Sequence, residues 1–152
     1  MRFRFDESEF RELSRQRLHV RPSETARCSD DDLNPGARII PTGQTPKPAA
    51  VLVPLVPGQD GVNLLLTQRT EHLARHAGQV AFPGGRIDPD DADALAAALR
   101  ETEEETGIAR DFVEPLGFLD TYLTGTSYRV TPVVALLKRD RKSTRLNSSH
   151  SS

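Results

Sequence analysis

Apolar residues are spread unevenly along the 152-residue chain, and their spacing divides it into three parts. Near the N-terminus Phe10, Leu13, Arg17 and Leu18 recur at roughly helical intervals, which predicts a short amphipathic helix over residues 6–18. Residues 21–48 hold five prolines with several Asp and Ser, the pattern of an extended connector. The globular part is expected to begin at Ala49. Val51, Val53 and Val56 predict a strand, Pro57-Gly58-Gln59-Asp60-Gly61 a turn, and Val62 to Thr67 a second strand, together a hairpin with a longer loop. Residues 68–85 read as loop and short strand. Asp88-Pro89 predicts a helix start, with Asp88 as cap, and an alanine-rich helix runs to about Thr106 and stops at Gly107. Leu116 to Leu119 and Val130 to Leu137 then read as strands around a turn near Gly125. Strands, loop, helix and strands in that order indicate a mixed α/β domain.

The third part begins near Asp140, where patterning stops. Asp-Arg-Lys-Ser-Thr-Arg-Leu-Asn-Ser-Ser-His-Ser-Ser shows neither strand nor helix period and reads as a polar terminus. Asp140 to His150 also resembles the translation of a sequencing-library adapter, so residues 140–152 are expected to be a non-native tail. Nothing apolar follows Leu137 to cover the last strand, so a C-terminally truncated chain, poorly stable and weakly active or inactive, is the expectation.

Composition narrows the class. The chain is 36% hydrophobic and 28% charged, with a net charge of −2, which argues against binding nucleic acid through bulk electrostatics. Its longest apolar stretch, Ala49 to Val56, is too short for a helical membrane span, and no secretory signal is readable. A single cysteine, Cys28, excludes an internal disulfide framework and fits a reducing cytoplasm. Lys47, Lys138 and Lys142 are the only lysines among 20 basic residues, a usage that suggests a GC-rich bacterial genome.

The chemistry concentrates in Arg100-Glu101-Thr102-Glu103-Glu104-Glu105-Thr106-Gly107-Ile108. Four carboxylates crowd the end of a helix, where the macrodipole disfavours negative charge, and Glu101 and Glu105 repel each other at i, i+4. At about 100° per residue, Glu101, Glu104 and Glu105 share one sector while Glu103 points away. Leu95, Ala98, Leu99 and Thr102 form a neighbouring face that can pack on a sheet. Charge spacing alone leaves a solvated acidic face, relieved by an Arg100–Glu104 pair, equally open. The other reading is an oxygen-rich site for Mg²⁺ or Mn²⁺, whose charge offsets the repulsion. Phe82-Pro83-Gly84-Gly85, one loop upstream, favours the second reading, because glycines let backbone carbonyls come close to a metal or phosphate.

Together these segments resemble the Nudix hydrolase signature, in which a glycine and a spacer with an acid precede Arg-Glu-aliphatic-x-Glu-Glu-x-Gly-aliphatic. Arg100 to Ile108 matches except for Thr102 at the aliphatic position. Counted from Gly85, the first acid is Asp91 instead of Glu, and Arg100 comes one residue late. The resemblance implies an α/β/α sandwich around a mixed sheet and hydrolysis of a nucleoside diphosphate linked to another moiety. It implies that Glu101, Glu104 and Glu105, with the Gly84 carbonyl, hold Mg²⁺ or Mn²⁺, and that Arg100 orients the carboxylates in the catalytic set. On this reading residues 1–48 are an N-terminal helix and Pro-rich linker, and 49–139 the Nudix domain.

A second resemblance concerns substrate. Leu65-Leu66-Thr67-Gln68-Arg69-Thr70 and His76-Ala77-Gly78-Gln79-Val80-Ala81-Phe82-Pro83-Gly84-Gly85 are similar to the segment marking the coenzyme A pyrophosphatase branch, although Ala74 stands where that branch usually has a base and Arg75 lies next to it. The implied reaction splits the pyrophosphate of coenzyme A or its thioesters into 3′,5′-ADP and a 4′-phosphopantetheine species. Arg69, Thr67, Gln79 and Phe82 are the expected substrate contacts, with Arg69 suited to pair with phosphate. His72 and His76 read as loop or packing residues. The expected partner is a small nucleotide, with no nucleic acid or membrane, and a homodimer is left open. The alternatives are hydrolysis of another nucleotide such as ADP-ribose, NADH or a dNTP, or a catalytically silent Nudix-like binding module.

Overall fold

The structure, a computed structural model, describes residues 6–23, 28–29, 45–68 and 79–138. In chain order it contains α1 (Glu7–Arg17), β1 (Cys28–Ser29), β2 (Lys47–Gly58), β3 (Gly61–Leu64), β4 (Thr67–Gln68), β5 (Val80–Ala81) and β6 (Gly84–Arg86). There follow α2 (Ala94–Thr106), a 3₁₀ turn over Arg110–Phe112, β7 (Val113–Phe118), β8 (Tyr122–Leu123) and β9 (Tyr128–Leu137).

Two long strands, β2 and β9, run parallel and form the middle of the main sheet. Each is long enough to take two short antiparallel partners on its other edge. β2 pairs with β6 over Ala49–Val51 and with β3 over Leu55–Gly58. β9 pairs with β8 near Val130 and with β7 over Val133–Leu137. Pro54 falls in the gap between β6 and β3. Its carbonyl accepts from Leu65 N–H at 2.9 Å on that edge, so its missing donor lies on the same side and the β9 ladder loses nothing.

Side-chain alternation along β9 gives the sheet two apolar faces. Val133, Ala135 and Leu137 join Ala50, Leu52, Ala94, Ala97, Ala98 and Val113 beneath α2. Val134 and Leu136 join Leu55 on the opposite face, where Phe10 and Leu18 from the α1 segment pack. A helix on each face makes the α/β/α sandwich expected of the sequence. Ala97 and Ala98 are completely buried, and their small side chains let α2 lie close to the sheet.

Several boundaries differ from the expectations. The helix predicted from Asp88-Pro89 starts instead at Ala94, because Asp93 caps it by accepting from Ala96 N–H at 2.8 Å, while Asp88 and Asp91 close a turn on each other. The predicted long hairpin loop is a two-residue turn, Gln59-Asp60, with Gly58 opposite Gly61. Gly61 has φ +120°, a backbone conformation that glycine alone adopts easily. The second predicted strand divides into β3 and β4, and β4 leaves the main sheet to pair with β5.

The segment expected as an appendage and connector also contributes to the fold. α1 opens with a capping box between Asp6 and Glu9, and its stripe against the sheet is Phe10, Ser14 and Leu18 at i, i+4, i+8. Leu13 lies off that stripe and is 36% exposed, whereas Ser14 is buried. Arg11 pairs with Glu114, and His19 exchanges backbone hydrogen bonds with Phe118 at 2.9 Å in both directions. A bulge in β7 between Pro115 and Gly117 receives this segment. A Cβ on Gly117 would lie 2.7 Å from Leu18 Cβ and 2.9 Å from the His19 carbonyl. β1, inside the predicted connector, pairs in parallel with β8. No helix among the described residues is long and apolar enough to cross a membrane. Residues 140–152 lie outside the described residues.

Candidate active site

The acidic end of α2 lies beside β6, and two glycines make the approach possible. A Cβ on Gly84 would stand 2.4 Å from the Ala50 carbonyl oxygen and 2.7 Å from Val51 Cα, so β6 could not pair this tightly with β2. A Cβ on Gly85 would stand 2.7 Å from the carboxyl carbon and Oε1 of Glu101. Glu101 thus places its charged end directly over backbone. Its side chain is 20% exposed.

Ladder alternation aims the Gly84 carbonyl. Leu52 N–H donates to Pro83 at 2.8 Å and Ile87 N–H to Pro48 at 3.0 Å. These bonds make Ala50–Gly85 the hydrogen-bonded pair and Val51–Gly84 the non-bonded pair, so the Gly84 C=O turns away from β2. The sequence expectation had assigned that oxygen to a metal.

Arg100 is the hub of the cluster. Its Nε donates to Asp91 Oδ1 and its Nη2 to Asp91 Oδ2, both at 3.0 Å, a two-pronged contact. Nη2 also lies 3.3 Å from Asp88 Oδ2 and donates to the Arg86 carbonyl at 3.3 Å. Nη1 reaches Glu101 Oε1 at 3.1 Å and Glu104 at 3.5 Å. The hydrogen bonds that Arg100 donates to Asp91, set against partial desolvation, raise the Arg100 pKa above its ordinary value. Reciprocally, Arg100 and then the Asp88 backbone N–H lower the Asp91 carboxyl below its ordinary value. Asp91 is only 7% exposed in its side chain, while Glu104 is 60% exposed.

The helix wheel drawn from the sequence holds in part. Thr102 is fully buried, and its hydroxyl donates to the Ala98 carbonyl at 2.7 Å, so it fills the aliphatic position without an unsatisfied polar group. Glu103, Glu104 and Glu105 are all exposed in the last turn, where no basic residue offsets the helix dipole. α2 ends at Gly107, with φ +79° and its N–H bonded to the Glu103 carbonyl at 2.8 Å, as expected. Among the described residues no three His, Cys, Asp or Glu side chains are drawn together as a ready-made metal cage. In this state Arg100 holds Glu101 and Glu104.

Of the expected substrate contacts, Thr67, Gln79 and Phe82 fall around the small β4–β5 sheet. Thr67 lies opposite Ala81, and its hydroxyl donates to the Ala81 carbonyl at 3.0 Å, which commits that hydrogen to the backbone. Gln79 is exposed and Phe82 half-buried at the approach to the buried Pro83 and the half-buried Gly84. Arg69, His72, Ala74, Arg75 and His76 lie outside the described residues. Sequence reasoning noted Asp91 only as a departure in spacing. Its bond to Arg100 was unread, because the 88–91 turn that brings it back to α2 has no periodic signal.

Residues 46–148 match the NUDIX domain, and the chain belongs to that family. Its relatives include Uncharacterized Nudix hydrolase NudL of Escherichia coli K12, 54% identical over 92 residues that make up 60% of this chain and 47% of that protein. The corresponding protein of Shigella boydii is 53% identical over the same length. The chain thus spans about half the length of the curated relatives it matches. Among solved structures, the Nudix hydrolase RenU of M. smegmatis superposes with a TM-score of 0.54 at 24% identity, covering 64% of each chain. A binary complex of the C. elegans Ap4A hydrolase gives a TM-score of 0.50 at 26% identity, covering 60% of this chain and 67% of that one. A Nudix hydrolase of Nitrosomonas europaea gives 0.51 at 24% identity, covering 64% and 51%.

Proposed function

We propose that this domain is a divalent-metal-dependent pyrophosphatase acting on coenzyme A or its thioesters. The observation that carries the reading is the seating of Glu101 over Gly85, beside the outward-turned Gly84 carbonyl, at the acidic end of α2. These are hard oxygen donors of the kind that Mg²⁺ and Mn²⁺ take. A carboxylate pressed against a residue without a side chain fits a small, strongly hydrated cation. Glu101, Glu104, Glu105 and the Gly84 carbonyl would hold the ion. When bound, it polarises a phosphoryl oxygen and lowers the pKa of an attacking water.

The protein's own part is positioning and charge. Arg100, anchored by Asp91, keeps Glu101 in place on α2. Arg69 supplies a planar cation for phosphate, and Thr67, Gln79 and Phe82 line the approach from the β4–β5 sheet. The coenzyme A assignment is supported by the segments from Leu65 to Thr70 and from His76 to Gly85. The relatives at 54% identity carry the coarser hydrolase name only. We infer a cytoplasmic site of action and a small nucleotide as the partner, with a homodimer as a further proposal.

The test is a substrate panel with Mn²⁺ or Mg²⁺, with the E. coli relative assayed in parallel. Release of 3′,5′-ADP and 4′-phosphopantetheine from coenzyme A is the expected outcome. Turnover of ADP-ribose, NADH or dNTPs with none of coenzyme A moves the assignment to another nucleotide. A folded chain that binds neither metal nor nucleotide overturns the enzymatic reading.

A further inference from the structure

The floor of the site continues past Glu101 across the main sheet. Gly85, over which Glu101 lies, pairs with Ala50 of β2, and Ala50 pairs with Thr131 of β9. Paired residues project from the same face, and Val133, Ala135 and Leu137, in step with Thr131, pack beneath α2. Thr131 therefore lies on the face that carries Glu101, two strand spacings, about 10 Å, from Gly85. Cover falls away at this row. Leu52, Val133 and Ala50 are completely buried, and Thr131 is 7% exposed. One pair further out, Pro48 and Arg129 are both exposed. The open floor thus begins at the row that holds Glu101.

The buried threonines differ in what their hydroxyls do. Thr102 donates to the Ala98 carbonyl at 2.7 Å and Thr121 to the Ser23 carbonyl at 2.8 Å. The Thr131 hydroxyl has no such bond among the described residues. No sealed side-chain polar atom there lacks a partner, so the little surface that Thr131 exposes includes its hydroxyl. A polar group held this deep without a protein partner is one that a ligand can satisfy. Arg129 follows on the same face, its Cα about 7 Å from that of Thr131, within the reach of its long side chain.

We propose that Thr131 and Arg129 form a second anion subsite, which takes a phosphate monoester on the ribose of the substrate, apart from the diphosphate at the carboxylates. The guanidinium supplies charge and a two-pronged contact, and the hydroxyl adds a donor at the inner end. Both are specificity residues and stand away from the bond that is split. On the coenzyme A reading, on which this inference rests, the occupant is the 3′-phosphate.

Binding of 3′,5′-ADP and 5′-AMP to the unmodified chain is measured by titration calorimetry in Mg²⁺, with circular dichroism confirming that each variant is folded. The 3′-phosphate is expected to tighten binding about ten- to a hundredfold, the worth of hydrogen bonds to a charged group. Arg129→Gln removes most of that preference. Thr131→Val, which keeps the shape and removes the hydroxyl, reduces it several-fold, and Thr131→Ser restores it. An equal gain for 2′,5′-ADP supports the subsite and overturns its assignment to the 3′-phosphate. Should Thr131→Val not fold, the exposed Arg129 decides the matter. An Arg129-dependent preference without turnover of coenzyme A overturns the functional reading and leaves the subsite standing. Equal affinity of the unmodified chain for 3′,5′-ADP and 5′-AMP, or a preference that survives Arg129→Gln, overturns the inference even where coenzyme A is hydrolysed.

Discussion

The guanidinium of Arg100 meets the carboxylate of Asp91 edge to edge, Nε on Oδ1 and Nη2 on Oδ2, each at 3.0 Å. The contact ties the turn before α2 to the middle of the helix. It leaves one guanidinium nitrogen to face the acidic residues that follow.

That contact has a pH signature. Asp91 has a folded pKa below its ordinary value of 3.8, held there by Arg100 and by the Asp88 N–H. A depressed carboxylate adds stability that is complete above the unfolded value and disappears as pH falls through the folded one. Asp91→Asn is therefore expected to lower Tm at neutral pH, with the difference from the unmodified chain shrinking below about pH 3.8. Thermal unfolding at a series of pH values checks this. A constant difference down to strongly acidic pH contradicts it.

Gly84 and Gly85 separate stability from chemistry. A methyl at Gly84 meets backbone at 2.4 Å and 2.7 Å, which cannot yield, so Gly84→Ala is expected to cost about 1–3 kcal/mol or more. At Gly85 the obstacle is the end of the Glu101 side chain, which can swing aside. Gly85→Ala should keep Tm within a few degrees and lose turnover and Mn²⁺ binding. Denaturant titration of both variants, with metal titration of the second, decides it.

The carboxylates of α2 differ in expected effect. Glu101→Gln and Glu105→Gln should each reduce kcat by more than the ~10–100-fold typical of residues that only support metal ligands. In the absence of metal, Glu101→Gln should leave Tm level or slightly lower, because it gives up the charged partner that Arg100 holds at 3.1 Å while removing one of the clustered negative charges. Glu103→Gln should leave kcat within about twofold, because its side chain leaves the shared sector. Steady-state kinetics of the three variants is the check. Equal damage at Glu103 would mean that the helix face is misassigned.

On the opposite face, Gly117 admits the chain that follows α1. Gly117→Ala puts a methyl 2.7 Å from Leu18 Cβ, so the α1 segment should move off the bulge at a cost of about 1–3 kcal/mol. Trypsin cleavage at Arg15 and Arg17 should accelerate, while Mn²⁺ binding on the far face stays unchanged. Protection equal to that of the unmodified chain would contradict the role given to the bulge.

The chain's pattern alone determined the class of fold and the chemical character of the site. Near-continuous apolar runs marked β2 and β9, because a strand buried on both faces is nearly all apolar. The stop at Gly107 was legible because a glycine after an amphipathic run is the usual end of a helix, and four glutamates before it mark a concentration of negative charge where the helix dipole disfavours it. The start of α2 was not legible: Asp88, Asp91 and Asp93 are all good caps, and only the turn that Asp88 and Asp91 make with each other leaves the role to Asp93. Nor could local pattern show that Ser14 faces inward and Leu13 outward, since the bulge at Gly117 lies a hundred residues away. Tertiary structure likewise decided what Arg100 touches. Spacing put Glu104 in its reach, but the strongest partner is Asp91, brought back by a turn without periodicity. Periodicity records which face a residue presents, and contacts between distant segments are settled only when those faces pack.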